Sequence, residues 1–157
     1  SLQVPLIASI QGAAIGAGMD MCLCADIRIA GSAAFFAHSF AKLGLISGDG
    51  GHWLLNRAVG HSRALELSLT GKRIDAKKAE AIGIVNQLSD NLEQDTITLA
   101  QSIADNPRPC LIGAKRLTQQ AAYQPFKEAQ RAAAQIQGAL HNTQEHKARV
   151  KKLTTRL

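Results

Sequence analysis

At 157 residues, 46% of them hydrophobic and 19% charged, the chain has the make-up of a folded globular piece large enough to bury its own core. The net charge is +6, and no apolar run reaches the roughly 18 residues of a membrane span, which argues against an integral membrane protein. No charged-then-apolar leader precedes the first strand. Cys22, Cys24 and Cys110 suit neither a disulfide framework nor a zinc site, so reduced core thiols in a cytoplasmic or matrix protein are expected.

In chain order, residues 4–10 predict a strand of β-branched and small side chains. The chain breaks at Gln11-Gly12, passes a small-residue stretch over 13–18, enters a helix near Ala17 and leaves on a strand over 26–30. Strand, glycine turn, helix and strand in this span read as one βαβ unit. Gly16 and Gly18 flank Ala17 where the turn feeds the helix, so the backbone there is uncovered. Free N–H groups at a helix start favour negative charge, such as a developing enolate or thioester oxyanion. The alternative is a glycine turn that only lets helix and strand pack closely.

Residues 34–38 predict a short strand, 39–43 one helical turn, and 44–51 (GLISGDGG) a glycine-rich loop. Helices are expected over 51–59 and 61–69, divided by Gly60, then a turn at GKRI. Asp75 caps a helix ending at Gly83, and IVNQL forms a last strand. A helix from Asn91 to Asp105 ends at Asn106-Pro107-Arg108-Pro109. Two or three helices follow from Cys110, the second opened by Pro125-Phe126 and running to about Asn142. Residues 1–107 carry a net charge of −2 and residues 108–157 a net of +8. Such a basic tail suits nucleic acid, a membrane surface or a phosphorylated ligand. Only Tyr123 and Phe126 interleave it, which disfavours single-stranded nucleic acid and leaves a solvated helix face as the simpler reading.

The segment GAAIGAGMDMCLCADIRIA resembles the signature of the enoyl-CoA hydratase/isomerase (crotonase) superfamily, with Gln11 for the usual Asn and Ala25-Asp26 for a Cys-Asp pair. FFAHSFAKLGLISGDGGHWLLNRAVG and ALELSLTGKRIDAKKAEAIGIVNQL resemble the family's second and third blocks, in order and at its spacing; the likeness weakens past residue 107. The resemblance implies an α/β fold: a partial crotonase-like ββα spiral over 1–90, then an all-helical region over 91–157. In the family that region packs subunits, so a homotrimer or hexamer is implied. The implied substrate is an acyl-CoA thioester, with no separate cofactor and no metal. By the same resemblance the Ala17 backbone N–H is an oxyanion donor, Gly16 and Gly18 bind substrate, and Arg156 lies near a basic position for coenzyme A phosphate. The ending KKLTTRL departs there from the family's A-F-x-E-K-R. Family members carry an upstream part that supplies the other oxyanion donor and much of the cleft, so these 157 residues alone are expected to be inactive.

Two carboxylates carry the candidate chemistry. Asp20 falls where the family's hydratases place one of two catalytic Glu residues; a carboxylate near a helix N-terminus stays ionised, which suits a base, or it merely answers the helix dipole. Asp49 lies in SGDGG, either capping the next helix or brought by the glycines over a bound thioester. Some isomerases and dehalogenases of the family place a catalytic Asp one residue earlier, at Gly48 here. The second hydratase Glu aligns with Phe40, which can move no proton, so hydration is disfavoured and single-base isomerisation stays open. His38 and His52 read as packing histidines. Trp53, Leu54 and Leu55 read as helix core or as lining of the acyl pocket, and Asp26 and Arg28 as structural. Three readings follow: an acyl-CoA hydratase or isomerase of fatty-acid or aromatic-acid catabolism, a catalytically silent acyl-CoA-binding or assembly module, and an RNA-binding relative.

Overall fold

The computed structural model describes residues 2–155. It divides into two units. One comprises residues 6–100; the other joins the described residues up to Pro5 to those from Gln101 onward.

The first unit is built by repetition. β1 (Ile7–Ile10) and β2 (Ala13–Ile15) are separated only by Gln11-Gly12, yet they belong to different sheets. α1 (Ala17–Leu23) follows, then β3 (Ile27–Gly31) returns to the first sheet and β4 (Phe35–Ala37) to the second. After a 3-10 turn (Ser39–Leu43), α2 (Gly51–Val59) and α3 (His61–Thr70), β5 (Arg73–Asp75) joins the second sheet. α4 (Ala76–Ala81) then leads to β6 (Gln87–Ser89) in the first. The first sheet, β1-β3-β6, is parallel, with Ile7 beside Ile27 and Ile29 beside Gln87. In the second, β2 runs parallel to β4, and β5 is antiparallel to it, with Phe36 opposite Ile74. This alternation between two sheets, with helices between the turns, is the ββα spiral.

The core lies between these layers. Ile29, Ala30, Phe36, Leu55, Ala79 and Ile84 are fully buried. Strand Arg28 ties the turns together: its Nε donates to the Ile84 carbonyl at 2.5 Å and its backbone N–H to Asn86 Oδ1 at 2.9 Å. Asp26 Oδ2 accepts from the Leu6 N–H at 2.8 Å. Both residues are structural, as their place in the strand implied.

Three elements differ from expectation. Residues 13–15 form a strand, because Ala14 buries a face while Ala13 and Ile15 stay exposed, an alternation hidden by small side chains. Arg73–Asp75 pairs with β4 although a turn is expected over 71–74 and only a helix cap at Asp75; Arg73 lays its guanidinium over the Phe35 ring at 3.4 Å. The last strand is Gln87–Ser89 rather than 84–88, since Ile84 and Val85 go into the core. Two side chains also face outward: Trp53 is 48% exposed beneath the Arg57 guanidinium, and Cys24 is exposed, while Cys22 is half-buried and burial pushes its thiol pKa up.

α5 (Leu92–Ala104) spans the boundary between the units. The second unit holds α6 (Arg108–Ala121), α7 (Phe126–His141) and α8 (Gln144–Thr154). Buried Gly113 lets Ile136 of α7 approach α6, where a Cβ would stand 3.0 Å from its Cγ2. The Thr143 hydroxyl caps α8 by accepting from the His146 N–H at 3.2 Å. Among the described residues, no helix is long and apolar enough to cross a membrane.

Candidate active site

Gly16 creates the first part of the site. Its φ of 53° and ψ of −122° belong to glycine, and they swing the chain from β2 into α1 without a side-chain cap. Its N–H donates to the Ala37 carbonyl at 2.9 Å, which fixes the turn against the end of β4. Its carbonyl accepts from Met19 at 2.9 Å and Asp20 at 3.1 Å, so intrahelical bonding begins at Met19. The N–H groups of Ala17 and Gly18 therefore precede the first intrahelical donor. Ala17 is exposed, and a Cβ at Gly18 would meet nothing within 4 Å.

Phe40 stands beside this turn, with its ring 3.7 Å from where a Gly16 Cβ would lie. His38 meets Phe40 edge-on, with ring centroids 5.1 Å apart, and meets His52 at 4.8 Å. His38 is fully buried, yet neither ring nitrogen has a hydrogen-bond partner. It packs, but it is not satisfied. Burial lowers its pKa; Asp20 opposes that effect and His52 adds to it. The ring is neutral at pH 7 as a result.

Asp20 is 1% exposed. Its Oδ2 accepts from the Ser47 hydroxyl at 2.7 Å. Its Oδ1 lies 3.4 Å from His38 Nε2, within ion-pair distance but without hydrogen-bond geometry. The carboxylate also lies against Gly51, where any Cβ would overlap it. Ser47, 8% exposed, uses the same oxygen to accept from the Gly51 N–H at 3.0 Å.

Asp49 lies between Ser47 and Gly51 and is exposed. It does not cap α2: the N-cap is Gly50, at φ 83°, with no side-chain hydrogen bond. Ser47 meets the first N–H of α2 instead, so the capping alternative for Asp49 falls away. The structure thus joins Gly16, Asp20, His38, Phe40 and the loop bearing Asp49. Arg156 lies outside the described residues. Ser47 was missed by sequence reasoning; the signal was a small hydroxyl at the head of a glycine loop, four residues before a helix start. A separate cleft of about 700 Å³, lined by Ser9, Gln11, Ser32, Ser89, Asp90 and Glu93 among others, holds none of the candidate residues. Among the described residues no cluster has the make-up of a metal site.

Two alternating sheets wound with helices, and a glycine turn opening a helix beside a glycine loop, define a crotonase-type α/β protein. The family model for enoyl-CoA hydratase/isomerase matches residues 1–155, and the chain belongs to that family. A probable enoyl-CoA hydratase, EchA14 of Mycobacterium tuberculosis, is 41% identical over 115 residues, covering 73% of this chain and 45% of that protein. The 1,2-epoxyphenylacetyl-CoA isomerase of Escherichia coli K12 is 40% identical over 108 residues, covering 68% of this chain and 41% of its own. The crystal structure of an enoyl-CoA hydratase from Bacillus anthracis superposes with a TM-score of 0.95 at 29% identity, over 99% of this chain and 61% of that one. The chain spans less than half the length of these two curated relatives.

Proposed function

We propose that the whole protein acts on acyl-CoA thioesters as an enoyl-CoA hydratase or isomerase. The Ala17 N–H contributes to the oxyanion site and Asp49 moves the proton. One observation carries this reading: the open first turn of α1, with exposed Ala17, is hydrogen-bonded through Asp20 to the loop that presents an exposed carboxylate. A thioester oxygen bound at that turn gains most as it becomes an enolate oxygen, since N–H dipoles aimed at developing charge lower the barrier. A carboxylate beside the carbon acid then takes the proton and returns it. Leu45 and Ile46, 59% and 78% exposed, give the loop an apolar flank suited to an acyl chain.

Gly16 and Gly18 admit the thioester because they put no side chain in its way, and Arg156 is proposed as a partner for coenzyme A phosphate. The two relatives are both named for enzymes of coenzyme A derivatives, one an enoyl-CoA and one an epoxyphenylacetyl-CoA, which favours fatty-acid or aromatic-acid catabolism without choosing between them. Residues 91–157 are proposed to assemble subunits as trimers or hexamers, and sedimentation of the whole protein as a strict monomer would contradict that. The 157 residues alone are expected to turn over no enoyl-CoA appreciably, because losing one oxyanion donor typically costs about 10²–10³ in rate.

Ala17→Pro tests the oxyanion assignment. Proline is favoured at the first helical position and puts a ring carbon where the N–H was, so the donor is lost and its place is filled. The variant should fold, with kcat down by about 10²–10³-fold. Wild-type turnover in a folded Ala17→Pro protein would overturn the assignment. A silent acyl-CoA-binding module is the second reading, favoured by the Phe40 ring in place of a second carboxylate beside Gly16. It predicts thioester binding with no proton exchange at carbon.

A further inference from the structure

Asp20 and Ser47 raise a question that a two-carboxylate mechanism does not answer. A base must reach its substrate, yet the Asp20 carboxylate is buried, turned onto the Ser47 hydroxyl and pressed against the Gly51 backbone. Ser47 in turn receives the Gly51 N–H. One carboxylate oxygen, one hydroxyl and one backbone N–H thus form a continuous chain from the first turn of α1 to the first turn of α2. Asp49 lies within the closed segment, two residues from either end. Ala17 lies three residues before Asp20, on the same helix.

We propose that Asp20 is a positioning residue: through Ser47 its carboxylate locks the glycine loop carrying Asp49 to the helix whose first N–H groups form the proposed oxyanion site. The inference rests on the proposed function for its catalytic meaning. The lock itself rests only on the geometry. A loop with Gly48, Gly50 and Gly51 has little stiffness of its own, and glycine has the most backbone freedom to lose. Without a tie, Asp49 would sample many positions relative to the enolate. A misplacement of about an ångström costs on the order of 10²-fold in rate. Gly51 is required for a second reason, since a side chain there would take the space of the Asp20 carboxylate. His38, beside Oδ1, and His52, against His38, are the titratable groups that complete the surroundings of the tie.

The test uses the full-length protein with Ser47→Ala, Ser47→Thr, Asp20→Ala and Asp20→Asn. Asparagine keeps an oxygen that accepts from the Ser47 hydroxyl but cannot serve as a base at neutral pH. Two readouts are taken: amide hydrogen exchange over residues 48–51, and kcat and KM for proton exchange at the α- or γ-carbon of an enoyl-CoA over a range of concentrations. Ser47→Ala and Asp20→Ala should both speed amide exchange in the loop and lower kcat by about 10²-fold, with KM nearly unchanged. Ser47→Thr and Asp20→Asn should recover most of the protection and most of kcat. Wild-type loop protection in Ser47→Ala would overturn the lock. Loss of kcat in Asp20→Asn as complete as in Asp20→Ala, with the loop still protected, would also overturn it and make Asp20 a base. If the wild-type protein exchanges no thioester proton, the proposed function fails. Loop protection then still decides for or against the lock.

Discussion

Single residues set the character of this site, and His38 shows it best. Nothing in its sequence neighbourhood separates it from an ordinary packing histidine, and packed it is, between Phe40 and His52. Its ring nitrogens nevertheless make no hydrogen bond, although Nε2 stands 3.4 Å from Asp20 Oδ1, and burial holds its pKa below the ordinary value of about 6.5. Between that lowered value and about 6.5, the unfolded chain binds a proton that the folded chain refuses. Stability therefore rises with pH through this window, is fully present above it, and is lost as pH falls. Each unit of depression is worth about 1.4 kcal/mol. Urea midpoints at pH 7.5 and pH 5.5 should fall with acidification in the wild type and fall less in His38→Gln. Asp20 and His52 are the titratable groups facing the ring, and both remain in that variant. Equal pH dependence in the two proteins would contradict the assignment. Asp49 differs in kind: glycines on both sides keep it exposed and off the helix cap, which leaves its carboxylate open to a substrate.

Elements were legible where a residue type forces a boundary. Asp75 was readable as a cap, and its carboxylate does accept from the Lys78 N–H at 2.7 Å. Asp75→Ala should destabilise the protein by about 1 kcal/mol in urea unfolding, as lost N-caps do; a change near zero would show that the cap contributes nothing. Gly60, Gly71 and Pro107 likewise sit at helix boundaries as their φ preferences require. Of the three-residue strands, β4 was legible within the strand predicted over 34–38, but two others were not. Ala13–Ile15 and Arg73–Asp75 are too short to display an alternation, and their pairing partners are distant in the chain: Ala13 pairs with Phe35, 22 residues away, and Arg73 with Ala37, 36 residues away. Of the candidate site, the glycine turn at Ala17 and both carboxylates were visible in the sequence, as was the fold through its family resemblance. The tie from Asp20 to Ser47 was not, because a hydrogen bond across 27 residues leaves no local pattern.

At the scale of the whole molecule, the spiral brings one turn of each kind to one place: a helix start from the first repeat and a glycine loop from the second. The fold and family make acyl-CoA chemistry the central claim, and Phe40 makes it a claim about one working carboxylate rather than two. A single base that removes and returns a proton favours isomerisation over hydration, which needs water activated as well. The most direct test is deuterium incorporation at the α- or γ-carbon of a saturating enoyl-CoA in deuterated water, with the full-length protein. Wild type should exchange, Asp49→Asn should bind the thioester but not exchange, and Asp20→Asn should retain most of the exchange. Exchange at the wild-type rate in Asp49→Asn would contradict the account.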